Sequence, residues 1–326
     1  MSNIVDETFP RLLGDIGGTH ARFALQWQPQ GPLTDPVVLE SKDFPGPREA
    51  IRHYLAVQHY PAPRWAALGL ATPITGDEIV LTNHPWRFSA SALQRDLALT
   101  RLQLINDFTA LALALPHLSP QDCIPIGAGS AVAGSALAVL GPGTGLGVSG
   151  LLPGAGGYVA IEGEGGHVTL AAFNEREANL LARARRHWPH VSAERLLSGP
   201  GLELLYSLLC EAGAVRSESI TAVEIGRRGS LGQDALCRDA LDVFCGFLGT
   251  VAADLALTLG ARGGVYLGGG ILPQWGDYFP RSPFRARFES KGRYSSYLAA
   301  IPTWLIQAPW PGILGAAQAL NQPIAD

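Results

Sequence analysis

The chain has 326 residues, enough for one large or two ordinary domains. A hydrophobic share of 47%, a charged share of 16% and a net charge of -4 describe a globular chain with a filled core, and exclude a basic nucleic-acid binder. The four cysteines (Cys123, Cys210, Cys237, Cys245) form no CxxC pair and have no His cluster beside them, so reduced and mostly buried thiols are expected, not disulfides or a zinc site.

In chain order, the opening MSNIVDETFP is polar and acidic, which differs from a secretory signal and leads to the expectation of a cytoplasmic protein. The stretches RLLGDI, ARFALQW and PVVLESKDF alternate apolar and polar residues between Gly/Pro turns and read as strands. A helix is expected over 48–60, with Ile51, Tyr54 and Leu55 at helical spacing. Two strands follow, over 64–71 and 78–83, then a helix over 89–97 capped by Ser89. The strand 101-RLQLIND-107 ends at an acidic residue, and 108–115 is helical.

The pattern then restarts. The stretch 136-ALAVLGPGTGLGVSGLL-152 is again strand, Gly-rich turn, strand, with a third strand at 158–162. The segments LLGDIGGTHARFAL and AVLGPGTGLGVSGL share one plan, each with a threonine in its turn (Thr19, Thr144), and suggest two related α/β domains with a cleft between them. Helices are expected over 174–188, 193–210 and from Asp234 to about Gly260. The last is the most apolar long segment. Asp242 and Asp254 interrupt it, and the charge-free run between them falls short of the about 20 residues that span a bilayer. No membrane partner is expected. A buried-type strand, 263-GGVYLGGGI-271, and a final helix over 312–320 complete the pattern.

Three Gly-rich turns follow strands: 14-GDIGGT-19, 141-GPGTGLG-147 and 268-GGG-270. Backbone N–H groups in such turns form anion-binding concavities, to which a hydroxyl adds a donor. Together they point to nucleotide phosphates. A P-loop is excluded, because Lys42 and Lys291, the only lysines, stand in no GxxxxGK[ST] context. A formal GxGxxG at Gly145, Gly147 and Gly150 is followed by LLPGAGGYVAI, which cannot supply the helix a dinucleotide site needs.

Asp107 either caps a helix or acts as a general base. A carboxylate with a reference pKa of about 3.9 is ionised at neutral pH and can take the proton of an alcohol during phosphoryl transfer. Its neighbour Asn106 offers both a donor and an acceptor. The turn 162-EGEGGHV-168 sets Glu164 and His167 near each other, a combination suited to sugar hydroxyls. Glu194 by itself reads as a surface helix residue.

The ordered motifs LLGDIGGTHARFAL, LINDFTAL, GPGTGLGV, GEGGHV, HVSAERLLSGPGL, GGVYLGGGI and PGILGAA run from residue 12 to 317. In this the chain resembles the bacterial glucokinases, within the actin-like sugar kinase/Hsp70 superfamily. The resemblance implies an α/β fold of two actin-like (ribonuclease H-like) domains with mixed β-sheets flanking a central cleft. The expected domains are 1–117 with about 308–326, and 118–307. It further implies transfer of the ATP γ-phosphate to the 6-hydroxyl of glucose. Gly14, Asp15, Ile16, Gly17, Gly18 and Thr19, with Gly143, Thr144 and Gly145, would hold the phosphates. Gly268, Gly269 and Gly270 would lie by the adenosine. Asp107 would be the base, and Asn106, Asp107, Glu164, His167 and Glu194 would hold glucose. Mg²⁺ would be water-bridged to Asp15, and the protein would be a homodimer. Two positions depart from the family pattern: His20 after GGT, and Thr72, both where Asn is usual. A non-catalytic sugar sensor on the same fold is the rival reading. It would not need a base together with an intact phosphate cradle, and no helix-turn-helix extension is visible.

Overall fold

The computed structural model describes residues 8–322, so the start of the polar N-terminal stretch lies outside the described residues. The chain forms two compact units: one from the residues up to Leu118 together with those from Ala308 onward, the other from Ser119–Gln307.

The first unit is built on a five-stranded mixed sheet. Its strands are β1 (Arg11–Ile16), β2 (His20–Gln26), β3 (Thr34–Glu40) and β4 (Trp65–Leu70), with β7 (Arg101–Asn106) added after a small antiparallel ribbon of β5 (Glu78–Val80) and β6 (Arg87–Ser89). The sheet order is β3-β2-β1-β4-β7. β1 is central and almost wholly buried, so the alternation expected of RLLGDI does not separate a buried face from an exposed one. β3 is an edge strand and stays half-exposed. Helix α1 (Pro47–Val57) buries Ala50, Ile51 and Tyr54. Helix α2 (Ala90–Asp96) starts at Ser89, whose hydroxyl accepts the Ala92 N–H, the cap expected from the sequence. Helix α3 (Asp107–Ala114) is buried from Thr109 to Ala114, as a helix apolar on all sides must be.

The second unit repeats the plan. Its strands are β8 (Cys123–Pro125), β9 (Leu137–Pro142), β10 (Leu146–Gly154), β11 (Gly157–Ile161), β12 (Gly264–Leu267) and β13 (Thr303–Ile306). The order is β11-β10-β9-β12-β13-β8. In both sheets two antiparallel strands of a hairpin lead into parallel neighbours: β1 beside β4 and β7, β9 beside β12 and β13. The repeat seen in the two hairpin sequences is therefore a repeat of sheet topology.

Helices cover this second sheet: α4 (Glu175–Ala184), α5 (Ala193–Leu196), α6 (Gly199–Ala212), α7 (Ala222–Ser230), α8 (Ala235–Leu259), α9 (Phe284–Glu289) and α10 (Ser295–Ala299). The single helix expected over 193–210 is two. Ser198 caps α6 by accepting the Gly201 N–H, and Pro200 in that first turn supplies no N–H to continue α5. Asp234 caps α8, and Gly260 ends it in the left-handed region at φ 62. By length and composition α8 could cross a membrane, but 78% of its apolar window is buried inside the protein, as a core helix. All four cysteines are free, and Cys210, Cys237 and Cys245 are buried. The chain then returns to the first sheet as α11 (Pro311–Ala319), packed on α3 so closely that a Cβ on Gly315 would fall 1.6 Å from the Ala110 carbonyl oxygen.

Candidate active site

In the first unit, Ile16, Leu70 and Asn106 occupy one row across the parallel strands β1, β4 and β7. The three strands finish level. The turn Gly17–Thr19, the loop at Ala71 and Thr72, and Asp107 therefore leave the sheet at the same edge. Carboxyl ends of parallel strands are where such sheets bind ligands.

The turn is pinned from below. Gly17 N–H donates to the His20 carbonyl at 2.9 Å, and Ser41 N–H to that of Thr19 at 2.9 Å. Packing within the protein calls for glycine at two positions of the stretch 14–19. A Cβ on Gly14 would lie 2.6 Å from Leu68 Cδ2, and one on Gly18 2.8 Å from the Asn83 carbonyl oxygen. Gly17 has no such neighbour, its nearest being 3.7 Å away. Ile16 is buried and Thr19 exposed.

Asp15 follows the buried Gly14 in β1, opposite Arg22 of β2. Its side chain is 24% exposed, and Arg22 Nη1 donates to Oδ2 at 3.4 Å. Burial pushes the carboxyl above its ordinary range, against the opposing pull of Arg22. Among the described residues no three His, Cys, Asp or Glu side chains are grouped to hold a metal ion. A single partly exposed carboxylate fits an Mg²⁺ carried by substrate phosphates, which usually keeps several of its waters.

Asn106, not Asp107, is the cap of α3. Its Oδ1 accepts the N–H groups of Phe108 at 2.9 Å and Thr109 at 3.2 Å. That leaves the Asn106 amide nitrogen as its donor to a ligand. Asp107 is the first residue of α3, and its Oδ1 also accepts from Phe108 N–H at 2.9 Å. The strand thus stops one residue before the expected acidic end. Gly69 of β4 makes room, since a Cβ there would meet Ala110 Cβ at 3.3 Å and Asp107 Cα at 3.7 Å. The two departures from the family pattern have partners of their own. His20 Nε2 lies 3.0 Å from Glu40 Oε1, and Thr72 Oγ1 donates to the Val80 carbonyl at 2.9 Å.

In the second unit, the turn Gly143–Gly145 joins β9 to β10, and Gly143 N–H donates to the Gly145 carbonyl at 2.8 Å. The turn 268–270 ends β12, the parallel neighbour of β9. The two turns touch backbone to backbone: a Cβ on Gly141 would lie 2.4 Å from the Gly268 carbonyl carbon. Gly143 and Gly270 face open space, and Thr144 is exposed. Gly269 holds φ 81, which only glycine adopts without strain. The α6 N-terminus abuts the first turn, with Gly199 N–H donating to the Gly143 carbonyl at 2.8 Å. Sequence reasoning missed this junction, although Ser198 followed by Pro200 is a helix-start signal. It also missed Arg22, which no motif singles out.

Glu164 and His167 flank one turn of 3₁₀ helix, and His167 N–H donates to the Glu164 carbonyl at 3.0 Å. The segment continues beside residues 191–193, with Ala193 N–H donating to Val168 at 2.9 Å and Leu170 N–H to Val191 at 3.1 Å. This pairing sets Glu194 beside His167, its Oε1 3.9 Å from the imidazole Nε2. Glu194, in α5, is partly exposed, and its Oε2 accepts the Leu146 N–H at 2.9 Å.

The glucokinase family model matches residues 12–323. The glucokinase of Aromatoleum aromaticum is 52% identical over 320 residues, covering 98% of this chain and 97% of that protein. That of Chromobacterium violaceum is 48% identical, covering 100% and 93%. The crystal structure of a glucokinase from an Antarctic psychrotroph superimposes with a TM-score of 0.86 at 37% identity, over 96% of this chain and 98% of that one. With two hairpin-led α/β units and this likeness along nearly its whole length, the chain belongs to the glucokinase family.

Proposed function

We infer that the protein is an ATP-dependent glucose kinase that forms glucose 6-phosphate and ADP. The observation that carries the reading in the structure is the level edge of β1, β4 and β7, where Asp107 and the Gly17–Thr19 turn emerge together. The family membership supplies the reaction class.

In this reading Asp107 accepts a hydrogen bond from the 6-hydroxyl of glucose and holds its oxygen toward the γ-phosphorus. The oxygen–phosphorus bond forms as the bond from the γ-phosphorus to the β–γ bridging oxygen breaks. The hydroxyl proton passes to the Asp107 carboxylate, and ADP leaves with the bridging oxygen. Asn106 donates to a sugar hydroxyl through its amide nitrogen. Glu164, His167 and Glu194 read further hydroxyls. The N–H groups of the Gly17–Thr19 and Gly143–Gly145 turns, with the Thr19 and Thr144 hydroxyls, bind phosphate oxygens. Gly268–Gly270 borders the adenosine. Asp15 would hold Mg²⁺ through water, and the ion would supply charge neutralisation to the nucleotide phosphates. We further propose that the protein is cytoplasmic, and that it is a homodimer, as its resemblance to the family implies.

Phosphorus NMR of a mixture of protein, glucose and Mg-ATP tests the reading. The expected product is the 6-phosphate ester with ADP in equal amount; a phosphate on another hydroxyl would overturn the role given to Asp107.

A further inference from the structure

Glu194 holds two features of the second unit at once. Its Oε2 accepts the N–H of Leu146, the first residue after the Gly143–Gly145 turn, at 2.9 Å. Its Oε1 faces His167 Nε2 at 3.9 Å. The surrounding backbone is shaped to allow this. A Cβ on Gly145 would lie 2.4 Å from Glu194 Oε2, so only glycine leaves space for the carboxylate. A Cβ on Gly166 would lie 2.0 Å from the Leu146 carbonyl oxygen, so the His167 segment and the start of β10 are in direct contact. The turn is fixed on its other side by the Gly199 N–H donated to Gly143. At 32% exposure, the carboxylate remains open to a ligand hydroxyl.

We propose that Glu194 is a positioning residue as well as a sugar contact: through the Leu146 N–H it ties occupancy of the sugar site to the order of the phosphate-binding turn. The inference rests on the kinase reading, which gives the His167 side to glucose and the turn to ATP. A carboxylate free to rotate gives the Leu146 N–H an intermittent partner. A glucose hydroxyl bound to Glu194 fixes the rotamer, keeps the hydrogen bond closed and orders the turn before the nucleotide arrives. Glucose then tightens ATP binding, and by linkage ATP tightens glucose binding by the same factor.

Two measurements test this. The first uses the unaltered protein without nucleotide and follows hydrogen exchange of the Leu146 amide. Saturating glucose is expected to slow that amide at least about fivefold beyond any slowing of the other β10 amides. Equal slowing throughout β10, with glucose bound by calorimetry, overturns the link and leaves the kinase reading standing. Absence of glucose binding overturns both. The second measures the affinity of a non-hydrolysable Mg-ATP analogue with and without glucose, in the parent and in Gly145→Ala, whose methyl displaces the carboxylate from Leu146. Glucose is expected to tighten binding about fivefold or more in the parent and less than about twofold in the variant. A purely structural role for Gly145 would lower Tm and weaken both ligands while keeping the ratio, and an unchanged ratio overturns the proposal.

Discussion

Asp15 and Gly312 meet although almost the whole chain separates them: a Cβ on Gly312 would stand 3.1 Å from Asp15 Cγ. Gly312 lies in the first turn of α11, so the carboxylate is seated on a helix N-terminus, where a negative charge is favoured. Arg22 adds to that, yet burial is the larger influence and the carboxyl is raised above 3.8.

The sign of the resulting pH dependence follows from linkage. A carboxyl raised in the folded state binds its proton more readily there than when unfolded. Its contribution to stability is present below pH 3.8, the unfolded value, and is lost as pH rises through the folded value. Above pH 3.8 the carboxyl is a net cost to folding. Asp15→Asn should therefore melt higher than the parent near pH 7, with the gain shrinking as pH falls toward about 4, while phosphoryl transfer collapses. Thermal melts across that range, beside turnover measurements, check both parts. A gain independent of pH would contradict the burial argument.

Asn106 and Asp107 separate folding from chemistry within two adjacent residues. Both accept from Phe108 N–H, so Asp107→Ala leaves the α3 cap in place. Turnover should drop by about 10²–10⁴, the usual contribution of a general base, with Tm nearly unchanged. Asn106→Ala should instead cost about 1 kcal/mol of stability through the lost cap and raise KM for glucose. Steady-state kinetics and melts on both variants read this split. Near-normal kcat in Asp107→Ala would remove it from the role of base.

His167 has a 58% exposed side chain and stands 3.9 Å from Glu194, so its removal should cost little stability. As a donor or acceptor to a sugar hydroxyl it matters more: His167→Ala is expected to raise KM for glucose about tenfold, equivalent to about 1.4 kcal/mol, and to leave KM for ATP within about twofold. An unchanged KM for glucose would take His167 out of the sugar site.

The strands RLLGDI and ARFALQW, the two hairpins of one plan and the long apolar face of α8 were legible because apolar runs between Gly/Pro turns and a helical period mark them. The short strands β8 and β13 were not: three or four residues carry no period, and only pairing across the sheet defines them. The break between α5 and α6 was legible in Ser198 and Pro200 but was overridden by the apolar run on either side. At the candidate site, the residue types in LINDF and GEGGH suggested the chemistry. The tie from Glu194 to Leu146 could not be read, because the two are 48 residues apart and nothing local marks their contact. Nor could the packing at two glycines be read: a Cβ on Gly14 or Gly18 would meet Leu68 or Asn83, neighbours that sequence does not reveal.

The most direct measurement is ADP release by the purified protein with Mg-ATP, run separately with glucose, mannose, fructose, glucosamine and no sugar. Rapid release is expected with glucose, and background release without sugar. No release with any sugar, alongside measurable glucose binding by calorimetry, would contradict it and favour a sugar sensor on the same fold.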